Sequence, residues 1–446
     1  MPMHTFSFIS LGCAKNRVDA EMVIGELTHR GLQLVAEEKD APLVIINTCA
    51  FLQEARQEAL DTVRHFIEAK KSGQRRLQHV VVMGCLAQYV KNFGLEPGVL
   101  QEVDATVSLD EAHQIPERIG SLLGLTWKGN PSNPAASPHR RFLTTSPHSV
   151  NIKITDGCEN FCSYCLIPAI RGPLKSKAME EVVAEVQAVE RLGAKEINLI
   201  GQDISLYGVD RYGKPALLQL LQQLVTSISS VSWIRLLYVH PARVDRQLVE
   251  FMAREPLLCK YLDLPIQHVN TRLLNRMGRK TTREDLIQVY ELLRTGVPGI
   301  ALRTTVMTGY PGESEAAFQE LLEFLRAYPF ERLGSFAYSP EAGTRAYASP
   351  GRVPPEIAGA RQRMVMEQQK AISRKRNRSL LGARTPALIE SYNPGKRKAY
   401  GRIYAQAPEV DGKIIIPGPR SLRPGMMMPV RITGVGSYDF MGERLQ

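Results

Sequence analysis

Cys158-Glu159-Asn160-Phe161-Cys162-Ser163-Tyr164-Cys165 spaces three cysteines by three residues and then by two. It follows Val150 to Thr155, a brief run rich in β-branched residues that predicts a buried strand. A loop at that point can wrap three thiolates around one inorganic centre. Structural zinc normally takes four protein ligands, usually as two CxxC-like pairs, and no fourth cysteine is near. Three thiolates on a four-iron cluster instead leave one iron open to another ligand.

Outward from this loop, strand and helix patterns alternate from about residue 145 to 375. The further candidate strands are Glu196 to Gly201, Trp233 to Val239, Tyr261 to Ile266, Leu302 to Met307 and Arg332 to Tyr338. Helical patterns such as Met179 to Leu192 and Ser314 to Ala327 separate them. Six strand–helix units predict an open or partial α/β barrel, with its chemistry at the C-terminal ends of the strands.

Upstream, Phe6 to Leu11, Leu43 to Asn47 and Val80 to Met83 read as buried strands. Helical stretches from Asp19 to Arg30 and Gln53 to Lys71 lie between them, closed by Gly31 and Gly73. That order implies a parallel sheet with right-handed crossovers. Cys13, Cys49 and Cys85 stand 36 residues apart, each within about two residues of a strand's end. A buried cysteine alone is usually core filling. Three at equivalent strand ends converge on one sheet edge, where such sheets bind ligands. Cys259 has no companion and reads as core filling.

Gly129 to Pro138 is rich in Pro, Ser and Asn and reads as a linker. Past a helix from about Pro355 to Leu381, short strands and turns take over: Pro386 to Ser391, Tyr400 to Ala405, Lys413 to Ile416 and Met428 to Thr433. They predict a small β-barrel.

The 446 residues give a prior of roughly three domains. With 44% hydrophobic and 23% charged residues, general disorder is excluded, and no apolar run approaches the ~18 residues of a membrane span. Seven cysteines are too few for a disulfide scaffold and, with no signal-peptide pattern at the N-terminus, imply a cytoplasmic protein. A net charge of +11 suits either solubility or a polyanionic partner such as RNA. Residues 379–446 alone hold ten Lys or Arg against five Asp or Glu.

The Cys158–Cys165 motif resembles that of the radical S-adenosylmethionine (SAM) superfamily, in which the open iron takes the amino and carboxylate groups of SAM. With both triplets, the chain resembles the radical SAM methylthiotransferase family along its whole length. Ile9 to Asp19, Gly201-Gln202-Asp203 with Tyr207-Gly208, Tyr338 to Thr344 and Tyr438 to Glu443 are similar to its protein-modifying, RimO-like branch. Ala14 and Arg17 stand where many members have Pro and Leu.

The resemblance implies an α/β multidomain fold. Its parts are an N-terminal parallel α/β cluster domain (4–128), a linker (129–144), a partial (β/α)6 barrel of radical SAM type (145–378) and a TRAM-like all-β barrel (379–446). It implies two 4Fe-4S clusters, one on Cys13, Cys49 and Cys85 and one on Cys158, Cys162 and Cys165, together with SAM. No catalytic residue beyond these ligands is implied. The activity implied is methylthiolation of the β-carbon of an aspartate in small-subunit ribosomal protein S-twelve, free or within the ribosome. An electron donor such as flavodoxin or ferredoxin would serve it.

Tyr164 occupies the position of an adenine-facing ring, or packs its loop. Gln202, Asp203, Gln267 and Glu313, past strand ends, and Arg235, within the third strand, are candidate SAM contacts or hydrogen-bonded structural residues. Two other readings remain: a tRNA adenosine methylthiotransferase (MiaB-like), and a non-enzymatic iron–sulfur factor that binds RNA or the ribosome.

Overall fold

The computed structural model describes residues 4–36, 41–73, 76–94, 98–127, 141–418 and 421–445. Residues 129–140 of the expected linker lie outside them. Among the described residues, no helix is long and apolar enough to cross a membrane.

The β-branched runs build the first sheet: β1 (Thr5–Ser10), β3 (Leu43–Thr48) and β4 (His79–Gly84). Two strands too short for an apolar alternation to mark, β2 (Gln33–Leu34) and β5 (Ala105–Val107), complete the order β2-β1-β3-β4-β5, parallel throughout. In this doubly wound order the switch point lies between β1 and β3, and it opens a crevice beyond their carboxyl ends. Helices α1 (Ala14–His29), α2 (Gln53–Ser72), α3 (Cys85–Phe93) and α4 (Ile115–Leu122) supply the apolar layers on the two faces. Helix α1 begins at Ala14 rather than at the expected Asp19. Its first turn buries Lys15 and Asn16, so apolar spacing could not reveal it.

The second sheet runs β13-β12-β11-β10-β9-β6 and is parallel at every pairing. Its strands are β6 (Ser149–Lys153), β9 (Glu196–Ile200), β10 (Trp233–Leu236), β11 (Leu258–Asp263), β12 (Ala301–Thr308) and β13 (Arg332–Ala337). The sheet stays open between β6 and β13, as a partial barrel. An antiparallel clip of β7 (Thr155–Asp156) and β8 (Lys175–Ser176) closes the base of the cysteine loop, which carries the short helix α5 (Ile167–Arg171). Strand β11 begins three residues before the expected Tyr261 and ends at Asp263. The apolar run goes on through Leu264 and Ile266, but Pro265 lacks a ladder donor and Gln267 is left-handed at φ 67°.

The helix Pro355–Arg378 packs on β13 and leads to a closed barrel of order β14-β15-β16-β18-β17. The strands are β14 (Arg384–Asn393), β15 (Lys398–Ile403), β16 (Ile414–Pro417), β17 (Met427–Val435) and β18 (Phe440–Arg444). The unexpected β18 closes the barrel, parallel to β16 and antiparallel to β17. Its buried positions are Phe440 and Gly442, too faint an apolar pattern to read.

This barrel plugs the foot of the partial barrel. Trp233, Cys259, Tyr261 and Ala301 share one apolar cluster with Ala387, Ile403, Ile414 and Phe440. Inside it, Glu196 accepts from Arg235 Nε at 2.9 Å and Arg402 Nη1 at 3.0 Å, and all three side chains are buried. Burial alone would raise the Glu196 carboxyl, but the two guanidiniums hold it down at about 2. Breaking a buried pair strands a charge at a cost of about 3–5 kcal/mol, whereas an exposed pair contributes about 0–1 kcal/mol. Arg402→Ala should therefore destabilise the chain by several kcal/mol in chemical denaturation. Arg431→Ala, which removes the exposed Arg431–Glu443 pair, should leave the midpoint almost unmoved.

Candidate functional site

Cys13 caps α1 just past β1, Cys49 lies one residue past β3, and Cys85 opens α3 directly after β4. The register pairs Ser10 with Asn47 and Thr48 with Gly84, so the three cysteines leave the sheet at one edge, around the switch point. Two glycines permit the approach. A Cβ on Gly12 (φ 95°) would lie 2.8 Å from Cys49 Cβ, and one on Gly84 (φ 97°) would lie 2.3 Å from Asn47 Oδ1.

Polar side chains lace these loop ends together. Asn16 Nδ2 donates to the carbonyls of Leu11 (3.1 Å) and Thr48 (2.9 Å), Asn47 Nδ2 to the carbonyl of Asn16 (2.8 Å), and Thr48 Oγ1 to that of Met83 (2.6 Å).

The second triplet is fixed by both its own module and its neighbours. Cys158 N donates to the Gly172 carbonyl at 3.2 Å, Ser163 N to that of Met277 at 2.9 Å, and Ala346 N to that of Ser163 at 2.8 Å. Among the described residues no three His, Cys, Asp or Glu side chains close on a single metal ion. Burial pushes the Cys85 and Cys165 thiols up to about 12.

One side chain joins the two triplets. Arg171, at the end of α5, donates to both oxygens of Asp156 (2.9 and 3.0 Å) and, from Nη2, to Asp19 (3.0 Å), Asn16 Oδ1 and the Cys85 sulfur (3.5 Å). Lys153 bonds Asp156 at 2.7 Å and pairs with Asp19. Two cations and two carboxylates thus balance at a partly buried seam between the first sheet and the second. Leu166 and Ile170 of the same loop enter the apolar layer of the first domain.

Between the modules lies a cavity of about 590 Å³. Cys13 and Arg17 line it from the first domain. Asn151, Asn198, Tyr238, Asp263, Arg303 and Thr305 line it from the second, and Ala407–Val410 with Glu390 from the β-barrel. Tyr238, left-handed at φ 66°, also borders a small pocket at the strand mouth with Asn160, Gln202, Asp203, His240 and Arg279. Its ring carries Lys15 Nζ 3.3 Å above the centroid, a cation–π contact from the first domain. Burial pushes the Asp263 carboxyl up to about 6 against the pull of Arg303, and pushes His240 down to about 2.

The sequence-derived candidates divide. Gln202 and Asp203 line the small pocket at the mouth, next to the cysteine loop. Gln202 Nε2 reaches Asp156 at 3.3 Å, while its Oε1 is buried without a partner. Asp203 accepts from Asn160 (2.7 Å), Arg243 (2.8 Å) and Ser205 N (3.0 Å). Tyr164 stands edge-on to Tyr310 at 6.5 Å. Gln267 has left-handed backbone and a buried, unpartnered Oε1. Glu313 is held by Arg361 (2.7 Å) and Gly309 N (2.7 Å), with His268 Nε2 3.4 Å away.

Arg235 departs from the expectation. Its register with Asn198 turns it into the barrel's foot, where Glu196 and the Tyr404 carbonyl (2.7 Å) take its guanidinium. Sequence reasoning missed Lys15, Arg171, Tyr238, Asp263 and Arg303. Only Lys15 carried a signal, its place two residues after Cys13.

Exposure grades the first triplet: Cys13 is exposed, Cys49 intermediate and Cys85 buried. In metal-free protein, timed alkylation read by peptide mass spectrometry should label Cys13 first and Cys85 at least tenfold more slowly. Equal rates would contradict this geometry.

Three family models match: the radical SAM superfamily over residues 152–325, the uncharacterized protein family UPF0004 over 5–98, and the TRAM domain over 381–445. Among curated relatives, the "ribosomal protein uS12 methylthiotransferase RimO" of Desulforudis audaxviator is 39% identical over 436 residues, covering 97% of this chain and 95% of its own. The protein of the same name from Geobacter sulfurreducens is 38% identical and covers 98% of each chain. A solved radical SAM methyltransferase, TsrM of Kitasatospora setae, shares the fold with a TM-score of 0.55 at 15% identity, over 77% of this chain and 74% of that one. Near-full-length identity, together with a cavity lined by Cys13 that shares Tyr238 with the small pocket beside the second cysteine loop, places the chain in the RimO family of ribosomal protein uS12 methylthiotransferases.

Proposed function

We propose that the protein methylthiolates the β-carbon of an aspartate in ribosomal protein uS12, in the cytoplasm, using two 4Fe-4S clusters and SAM. The observation that carries this reading is the meeting of both cysteine-bearing modules at Tyr238, which lines the cavity holding Cys13 and also the small pocket beside the Cys158–Cys165 loop. The donor sets fit the clusters: three thiols each, with no fourth cysteine beside either. The mouth also offers the buried, unpartnered oxygens of Gln202 and Gln267 to a polar cofactor. Cys158, Cys162 and Cys165 would hold the cluster that binds SAM, and Cys13, Cys49 and Cys85 the second.

When bound, these groups supply a radical able to take a hydrogen atom from carbon and a sulfur held at an open iron. The chain's own task is placement. Arg171 and Lys153 lock the two domains across Asp19 and Asp156. Tyr238, clamped by Lys15, divides the SAM side from the substrate cavity. The loop Ala407–Val410 forms the far wall, and the Arg17–Glu409 ion pair (2.6 Å) ties it to α1. Gln202, Asp203, Gln267 and Tyr164 would contact SAM or hold its loop. A one-electron donor such as flavodoxin or ferredoxin completes the system.

Anaerobically loaded protein should hold about eight irons. Replacing Cys158, Cys162 and Cys165 with Ala should remove half of them and abolish SAM cleavage. Replacing Cys13, Cys49 and Cys85 should remove the other half, spare cleavage and stop sulfur insertion. Mass spectrometry of uS12 after reaction should show a gain of about 46 Da, H replaced by SCH3. That gain in tRNA and not in uS12 would overturn the reading.

A further inference from the structure

Among the charged groups around the substrate cavity, Asp263 is the carboxylate held most loosely. Arg17 pairs with Glu409 at 2.6 Å, Arg402 with Glu390 at 2.7 Å and Arg303 with Asp411 at 2.7 Å. Asp263 has only a long contact of 3.6 Å to Arg303 Nε, on a guanidinium already bound to Asp411. Lys15 has its ammonium over the Tyr238 ring and adds a Coulombic pull on the Asp263 carboxyl without an ion-pair contact to it. Asp263 Oδ2 accepts from Tyr238 N at 3.3 Å, and its Oδ1 has no hydrogen-bond donor. The residue is 4% exposed.

A second acceptor lies in the same wall. Asn198, 1% exposed, donates its amide nitrogen to Ser149 Oγ at 3.2 Å, and its Oδ1 is buried without a partner. Buried polar atoms are almost always bonded, so two orphaned acceptors lining one cavity mark where a ligand's donors belong. Pockets of about 300–1,000 Å³ hold drug-sized ligands. At about 590 Å³, this one has room for the reacting residue and a neighbour.

We propose that Asp263 and Asn198 form a subsite for a cationic side chain, a lysine or arginine, lying beside the modified residue in the substrate segment. The subsite rests on the reading of uS12 as substrate and adds a rule to it: the enzyme selects its aspartate by the positive charge next to it. A neutral donor such as a backbone amide would satisfy Asn198 but leave Asp263 with only its long contact to Arg303. An ammonium or guanidinium satisfies both. Asp263 acts here by positioning, away from the reacting carbon.

The test is a two-by-two comparison, read as kcat and KM for the gain in mass of uS12. One arm uses uS12 in which the lysines and arginines within three residues of the modified aspartate are changed one at a time to Gln. Wild-type enzyme should lose at least tenfold in kcat/KM with one of these substrates, mainly through KM. Asp263→Asn enzyme should show that same loss on unaltered uS12 and no further loss on the neutral substrate, the coupling expected of two groups in contact. Asn198→Asp should lower KM for unaltered uS12, and iron content should confirm that each variant is folded and loaded.

Wild-type enzyme indifferent to every Gln substitution overturns the subsite, whatever the variants do. Equal further losses in wild-type and Asp263→Asn enzyme also overturn it. Wild-type enzyme that leaves unaltered uS12 unmodified is instead a failure of the substrate reading, and fluorescence-detected binding of the same uS12 set then judges the subsite alone.

Discussion

Arg171 makes the two halves of this molecule into one site. Its guanidinium belongs to the loop that carries Cys158, Cys162 and Cys165, yet it reaches Asp19, Asn16 and the Cys85 sulfur in the other domain. With Lys153 it neutralises Asp19 and Asp156 at the seam. Burial alone would raise the Asp156 carboxyl, but Lys153 and Arg171 outweigh it and hold the carboxyl well below its ordinary range. A buried charge cluster of this kind is poor evidence for stability, since desolvation offsets attraction. What it provides is registration: the seam closes with all four partners in place, and that geometry sets the loop of the second triplet against the sheet edge that carries the first.

The third module works from the opposite end. Its barrel fills the foot of the open sheet with apolar side chains and with Arg402, which shares Glu196 with Arg235. Its loop at Ala407–Val410 also reaches the cavity wall. A partial barrel leaves an open seam along its length. Here the seam is covered on one side by the first domain and below by the last, so the interior stays polar without being open to bulk solvent throughout. Asn151, Asn198, Asp263 and Arg303 are tolerable there because they face a cavity rather than a packed core.

The longer parallel strands and the two triplets were legible because strands declare themselves by short β-branched runs and because cysteine spacing survives any error in element boundaries. The 36-residue repeat of Cys13, Cys49 and Cys85 encodes the sheet's register, 48 against 84, almost directly. What stayed hidden depends on side-chain direction. Arg235 looks like a mouth residue until its register with Asn198 turns it toward Glu196. Tyr238 and Lys15 are 223 positions apart and meet only when two domains pack. Strand β18 and the first turn of α1 were missed because their buried positions include a glycine and polar side chains in place of an apolar pattern.

The central claim is spatial: two iron centres, one from each domain, open onto the cavity that Tyr238 borders. Anomalous diffraction at the iron edge, from crystals of anaerobically loaded protein, measures this directly. The account predicts two iron peaks, one against Cys13, Cys49 and Cys85 and one against Cys158, Cys162 and Cys165, each with a thiol-free side turned to the cavity. Iron at the second triplet alone, or a first-domain centre sealed from the cavity by protein, would contradict it.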